Sequence, residues 1–290
     1  MFNINLFYTF NIYLNLKPIK TLALYTILAL AVHQTAAQSA MNNVGARAMA
    51  LGFTSSTLHD EWAIYNNVAG VAKVDHPVAA FTSEINPAFP AFNRMAALFV
   101  APIKKAGVAG LAAYRFGDNL YNEQILSAGF ANKMGLASLG IKVNYFQYYA
   151  EGFGNTQAFT ISFGGIAELT PKLLIGAHIV NINQPKRSEQ TGERMPTLLV
   201  LGLGFKLSEK LLVVSEVEKD LDYDLRWKSG VEYSVHKKFV ARTGFNLKPQ
   251  AGFVGLGFKP KKFQLDYAFQ YNSNLGTIHQ ATVGYSFTKK

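Results

Sequence analysis

The chain has no cysteine, which excludes a disulfide framework, thiolate catalysis and a lipid anchor through an N-terminal cysteine. Charge is also scarce: 16% of its 290 residues are Asp, Glu, Lys or Arg, against about 25% in an average soluble domain. Past the first 40 residues no apolar run approaches the roughly 20 residues that a spanning helix needs. Aromatics are plentiful, with 22 Phe and 14 Tyr. A chain with so little water-facing composition and no spanning helix has one way to cross lipid, a closed barrel, because only helices and barrels satisfy every backbone group there.

The formal charge of +10 raises the question of nucleic acid, but Lys and Arg are dispersed instead of gathered on one face, so no nucleic-acid partner is expected. Enzymatic chemistry finds no foothold. His33, His59, His76, His178, His236 and His279 show no metal-ligand spacing such as HExxH, and no serine sits in a G-x-S-x-G elbow. No catalytic residue, metal or cofactor is therefore assigned. The G-x-G pairs Gly202/Gly204 and Gly255/Gly257 do not extend to a dinucleotide fingerprint. In alternating strands they read as small inward residues that a plug approaches.

Residues 21–37 form an apolar core behind Lys17 and Lys20, followed by small residues, the pattern of a signal peptide cleaved after Ala37. Residues 1–16 carry no charge, precede the usual basic region and are treated as a mis-assigned start. Residues 38–77 do not alternate. Ala46 to Leu51 is helix-compatible and Asp60 to Tyr65 can open a helical turn, in a segment too small to be a domain alone. It is expected to pack inside the body formed by residues 78–290.

From 78 to 290 the period is two. Phe263, Leu265, Tyr267, Phe269 and Tyr271 put one apolar face against Gln264, Asp266, Ala268, Gln270 and Asn272. Such segments of about ten residues, apolar outward and polar inward, predict a transmembrane antiparallel β-barrel, and about fourteen can be counted between 78–83 and 276–288. An even number places both chain ends on one side. Alternate connections, at 102–107, 133–135, 170–172, 208–210, 236–238 and 259–262, are short and all contain Lys. The other set is longer and mixed in charge, notably 182–196 with Lys186, Arg187, Glu189, Glu193 and Arg194. Short turns on the periplasmic side and longer loops outside predict an outer-membrane barrel with both termini periplasmic.

The stretch at 44–72, VGARAMALGFTSSTLHDEWAIYNNVAGVA, resembles the N-terminal signature of the FadL-like superfamily of outer-membrane barrels, and within it the PorV and PorQ type. There a GARA stretch and a further Gly precede an acidic pair, an aromatic and an Asn-Pro-Ala-Gly turn. The matching positions are Gly45, Ala46, Arg47, Ala48, Gly52, Asp60, Glu61, Trp62, Tyr65, Asn67, Ala69 and Gly70, and Val68 stands where the family has Pro. The resemblance implies a fourteen-stranded barrel of a Gram-negative outer membrane whose N-terminal segment, here 38–77, folds into the lumen as a plug or hatch. It also implies a non-enzymatic accessory subunit of a larger complex for protein export or outer-membrane assembly. A transporter of hydrophobic small molecules is the second reading, with Phe53, Trp62, Ile64 and Tyr65 as candidates for an apolar pocket under the hatch. Lys142, Glu216, Glu218, Asp224, Arg226, Lys228, Glu232, Arg242 and Asp266 fall on the inward parity. Among them Asp224, Arg226, Lys228 and Glu232 carry both signs on one face, as lumen ion pairing requires.

Overall fold

Strict alternation of large apolar with small or polar residues makes each segment of the body a two-faced strand, and fourteen such strands close on themselves. The computed structural model describes residues 43–187, 192–221, 223–272 and 276–287. The expected signal segment 1–37, with its 1–16 start, lies outside the described residues. The strands are β1 (Val78–Ile85), β2 (Arg94–Ile103), β3 (Gly107–Gly117), β4 (Tyr121–Met134), β5 (Ala137–Ala150), β6 (Gly154–Glu168) and β7 (Leu173–Val180). They continue with β8 (Leu198–Lys206), β9 (Leu211–Asp220), β10 (Arg226–His236), β11 (Phe239–Asn246), β12 (Ala251–Phe258), β13 (Phe263–Asn272) and β14 (Gly276–Ser286).

Each strand pairs antiparallel with its sequence neighbour, and β1 pairs with β14 from Val78↔Ser286 to Ile85↔His279, closing the barrel without a free edge. Among the described residues no helix is long and apolar enough to cross a membrane; the crossings are strands. The outer wall is hydrophobic: Leu111, Phe159, Leu201, Leu256 and Tyr271 all point away from the lumen and are exposed. In water that surface would be a severe liability, whereas in lipid it is the required solvent-facing composition.

One place in the wall is irregular. β6 has 15 residues and β7 only 8, so the half of β6 from Gly154 to Ser162 pairs with β5 alone. The chain leaves β7 at Asn181, and the side chain of Asn183 stands in for the missing strand: its Nδ2 donates to Phe159 O at 2.8 Å and its Oδ1 accepts from Ile161 N at 3.0 Å. Of the described residues that follow, Arg187 meets Glu123 and Met195 packs on Tyr148.

The non-alternating segment fills the lumen. Its first turn is helix α1 (Ala46–Ala50), followed by 3-10 turns at Glu61–Ile64 and Val68–Lys73. Asp60 caps the second piece by accepting from Ala63 N at 3.1 Å, and Asn67 caps the third by accepting from Ala69 N at 3.3 Å. Met49, Ala50, Leu51, Ile64, Ala69 and Val71 have no exposed surface at all.

Candidate functional site

The hatch fits because the wall gives way to it. A Cβ at Gly176 would stand 2.0 Å from Ser56 O, and one at Gly244 would stand 2.3 Å from Gly52 N, so backbone approaches backbone where no side chain has room. The G-x-G pairs belong to the same belt: Gly202 and Gly204 face Ser56 and Thr57, and Gly255 faces Ala50.

On one side the hatch is held by charge. Arg47 projects from α1 and donates two hydrogen bonds to the Glu232 carboxylate on β10, both 2.8 Å, and a third to Asp60 at 3.0 Å. Glu232 also accepts from Arg242 at 2.7 Å, and Arg242 donates to Asp266 at 2.6 Å. This chain of five charges ties two points of the hatch to three strands. Bidentate geometry of this kind is where guanidinium exceeds ammonium. A second clasp is made by Glu216 on β9, whose Oε2 accepts from Ser55 N and Ser56 N at 3.0 and 2.8 Å. Beside it Lys228 pairs with Glu218 and lies 3.6 Å from Glu216, and Arg226 lies 3.4 Å from Glu218.

The four lumen charges expected from parity are thus not one cluster. Arg226 and Lys228 meet β9 and Glu232 meets the hatch. Asp224 is a correction: it lies in the loop before β10, is 84% exposed and pairs with Lys248 at 3.0 Å outside the lumen. The parity was carried two residues too far, because β10 begins only at Arg226.

On the other side the hatch meets an apolar surface. Trp62, Ala63, Ile64 and Val71 pack with Leu98, Val100, Tyr114, Ile125, Phe146 and Tyr148 of β2 to β5, and Met195 of the β7–β8 loop completes that cluster from the mouth. Trp62 stacks on Tyr65 with centroids 6.0 Å apart, and Phe146 stacks on Tyr148 at 5.8 Å. Between hatch and wall lies a small space of about 20 Å³ lined by both Val44, Tyr65, Tyr114 and Ile125 and Asn66, Ser127, Lys142 and Asn144, room for no more than a water or two. Trp62 and Ile64 belong to the packed cluster, and Phe53 packs edge-on against Phe253 at 5.5 Å on the charged side.

Tyr65 is placed differently from the other hatch aromatics. Its hydroxyl reaches the wall itself and donates toward Ala97 O at 2.9 Å and Ala113 O at 2.7 Å, residues paired across the β2–β3 seam. The seam is thin there because Ala96, Ala97, Ala112 and Ala113 supply only methyl groups, and an outer groove of about 310 Å³ lies against it. Next to Tyr65, Lys142 of β5 donates to the Tyr65 carbonyl at 2.7 Å.

The remaining hatch positions are structural in placement. Gly45 has φ 107° and lies against Trp62, where a Cβ would stand 2.9 Å from the indole. Asn67 donates to Ser56 O at 2.7 Å and Gly165 O at 3.1 Å, so it ties the hatch to β6, and Gly70 lies against Leu58 O. Glu61 is buried next to Asp60, and burial together with that carboxylate pushes it up to about 7. Burial and nearby Lys73 hold His59 down at about 4. At the mouth, Arg187 lies 3.6 Å from the buried Glu123, donates to Tyr121 and sits 5.1 Å over the Tyr148 ring. In sequence Arg187 is one charge of a long mixed loop, and nothing there pairs it with Glu123. The inward parity of Glu123 between Tyr121 and Ile125 was the available signal.

No protein-family profile matches the chain, and no curated protein resembles it in sequence. Solved structures do. A toluene transporter of Pseudomonas putida, TodX, superposes with a TM-score of 0.64 at 12% identity, covering 84% of this chain and 98% of its own. A Pseudomonas aeruginosa FadL homologue gives 0.61 at 13%, covering 85% and 98%, and the monoaromatic hydrocarbon channel CymD gives 0.61 at 11%, covering 86% and 99%. TodX and CymD are described as a toluene transporter and a monoaromatic hydrocarbon channel, which overturns the expectation of an accessory export subunit of the PorV and PorQ type. At such identities the likeness is one of fold, and this chain has the closed-barrel fold of these structures.

Proposed function

We propose that the chain carries hydrophobic small molecules across a Gram-negative outer membrane, as a signal-bearing precursor (1–37) with a hatch (38–77) inside a barrel (78–290). The termini and short turns face the periplasm in this reading. The observation that carries it is the apolar column of Met195, Tyr148, Phe146, Ile125 and Tyr114, which runs from the mouth to Tyr65 at the β2–β3 seam. A water-filled porin lines its lumen with polar groups. Here a solute that passes the Arg187–Glu123 pair at the mouth meets aromatic rings, along which an apolar solute gains by leaving water.

The inner end of that column is closed by the hatch, so passage requires movement. The Tyr65 side chain is the part whose displacement connects lumen and outer groove, since it alone among the hatch aromatics reaches into the wall. Its single hydroxyl proton is shared between the two carbonyls, so one hydrogen bond, and no covalent or ionic tie, holds the ring at the seam. A solute released there enters lipid without crossing a polar layer. The toluene and monoaromatic cargo named for the similar structures fits this column of five side chains.

Uptake of radiolabelled toluene by cells displaying the chain, with folding checked by gel mobility before and after boiling, tests the proposal. The wild type should exceed empty-vector cells. Tyr65→Phe, which keeps the ring and frees the seam, should be faster by up to roughly tenfold. Uptake equal to empty-vector cells for both toluene and dodecane, with folded barrel present, would overturn it.

A further inference from the structure

The two rims of the barrel differ in charge. The six short turns at 102–107, 133–135, 170–172, 208–210, 236–238 and 259–262 contain ten lysines and one acidic residue, Glu209. Two of these turns are bound to each other, for Lys259 N donates to Lys238 O at 2.9 Å. Together they present Lys237, Lys238, Lys261 and Lys262, none of which has an ion-pair partner among the described residues.

Directly above these lysines the outer wall carries an aromatic girdle. Phe239 stacks on Phe258 with centroids 4.7 Å apart, and Phe263, Tyr285 and Phe287 continue it edge to face at 5.1 and 4.9 Å. Such girdles mark the interfacial level of a membrane barrel, so lysines one to three residues beyond them lie at the depth of lipid headgroups. Above the girdle the wall of β10 to β14 and β1 is concave. Outward positions Ala241 and Ala281 are small, and Phe239, Leu256, Leu265 and Tyr267 wall a groove of about 710 Å³. That volume lies in the range of built ligand clefts.

We infer that this groove and the lysines at its foot form a binding site for one anionic phospholipid, its acyl chain along Ala241 and Ala281 and its phosphate among Lys237, Lys238, Lys261 and Lys262. Apolar groove, interfacial aromatics and unpaired cations are stacked in the order of chain, glycerol and phosphate. A free phosphate matches only the last of these. The inference goes beyond transport and uses only the placement of the turn rim at a lipid headgroup layer, so an uptake assay that fails leaves it standing.

The full chain in mild detergent, incubated with phosphatidylglycerol or phosphatidylethanolamine and examined by native mass spectrometry, provides the test. The wild type should retain phosphatidylglycerol in preference, and excess inorganic phosphate should not displace it. Replacing all four lysines by Gln should abolish the preference, since each is worth about fivefold near an anionic headgroup. Lys104→Gln with Lys105→Gln, in the β2–β3 turn of the same rim and outside the groove, should leave it intact, whereas Ala241→Leu with Ala281→Leu should weaken retention without altering charge. Equal retention of the two lipids by the wild type, or equal loss from the Lys104/Lys105 variant, overturns the site in favour of unspecific rim electrostatics.

Discussion

The lumen has two unlike halves. Along β1 to β6 the hatch packs mainly on Ala, Leu, Val, Ile, Tyr and Phe, with Lys142 on the Tyr65 carbonyl and Glu168 on Lys73; along β9 to β13 it also packs on Val214 and Phe253, but its fixed points are Glu216, Glu232 and, through Arg47 and Glu232, Arg242 and Asp266. Packing against hydrocarbon is non-directional and tolerates sliding, whereas a bidentate ion pair fixes position and angle. The charged half therefore acts as the anchor of the hatch and the apolar half as the side along which something else can pass. Placing both functions on one side would require the solute to break buried ion pairs on its way through.

Cutting the anchor gives the largest expected effect. Arg47→Met leaves Asp60 without its cation and Glu232 with Arg242 alone, and breaking a buried pair in this way costs about 3–5 kcal/mol. Hydrogen exchange of the amides of 46–51 should accelerate by more than about a hundredfold while the β-strand amides stay protected. Unchanged protection in the hatch would mean that packing, not charge, holds it, and the comparison would collapse.

The pH response separates two hatch groups that lie in no spanning strand. Glu61, raised from 4.5 to about 7, favours the docked state when protonated, so its contribution is full below 4.5 and fades as pH climbs to 7. His59, lowered from 6.5 to about 4, favours the docked state when neutral, so its contribution fades as pH falls from 6.5 to 4. The slopes oppose each other between 4.5 and 6.5, and the wild type should be nearly flat there. Glu61→Gln removes one slope, and docking in that variant should weaken on acidification by on the order of 1 kcal/mol or more per pH unit. A variant as flat as the wild type would mean that His59 is not buried in the docked hatch.

How much the sequence disclosed depends on physical range. Period-two alternation is a local property, so the strands, their inward parity and the short-turn rim are legible, as is the helical turn that opens at Asp60. The Arg47–Glu232 pair spans 185 residues, and nothing local to either residue names the other. Asp224 was misplaced because alternation persists beyond the last ladder bond and cannot mark where the wall ends. The division of the lumen depends on the rotation of the hatch inside the barrel. That rotation is set by which glycines leave space, a matter of matching two surfaces. The seam at Tyr65 was foreshadowed only by the alanine pairs 96–97 and 112–113, which in isolation look like unremarkable small strand residues.

On the apolar half, Ile64→Val probes how closely packed the passage is. The Ile64 Cδ1 lies against the wall where a Cβ at Gly110 or Gly129 would come within 2.7 or 2.8 Å. Deleting that methyl should cost about 0.5–1.5 kcal/mol of hatch protection and increase toluene uptake. Loss of stability without any gain in uptake would place the route elsewhere in the lumen.

The smallest effect is expected at Val68, which opens the last turn of the hatch, Val68–Lys73. Proline is favoured at such a first position because its N–H is not needed there. The preceding Asn67 has φ −96° and ψ 102°, an extended conformation that a following proline accepts. Reduced freedom of the undocked chain would then stabilise Val68→Pro by about 0.4–1 kcal/mol. Against this, the buried valine methyls approach Gly129 and Gly140, and a ring of similar volume fills that space less evenly. The two terms are of like size, so the variant should lie within about 1 kcal/mol of the wild type in hydrogen exchange at 68–73. A larger loss would show that the Asn67 cap and the valine contacts, and not the bare turn, define the hatch on its apolar side.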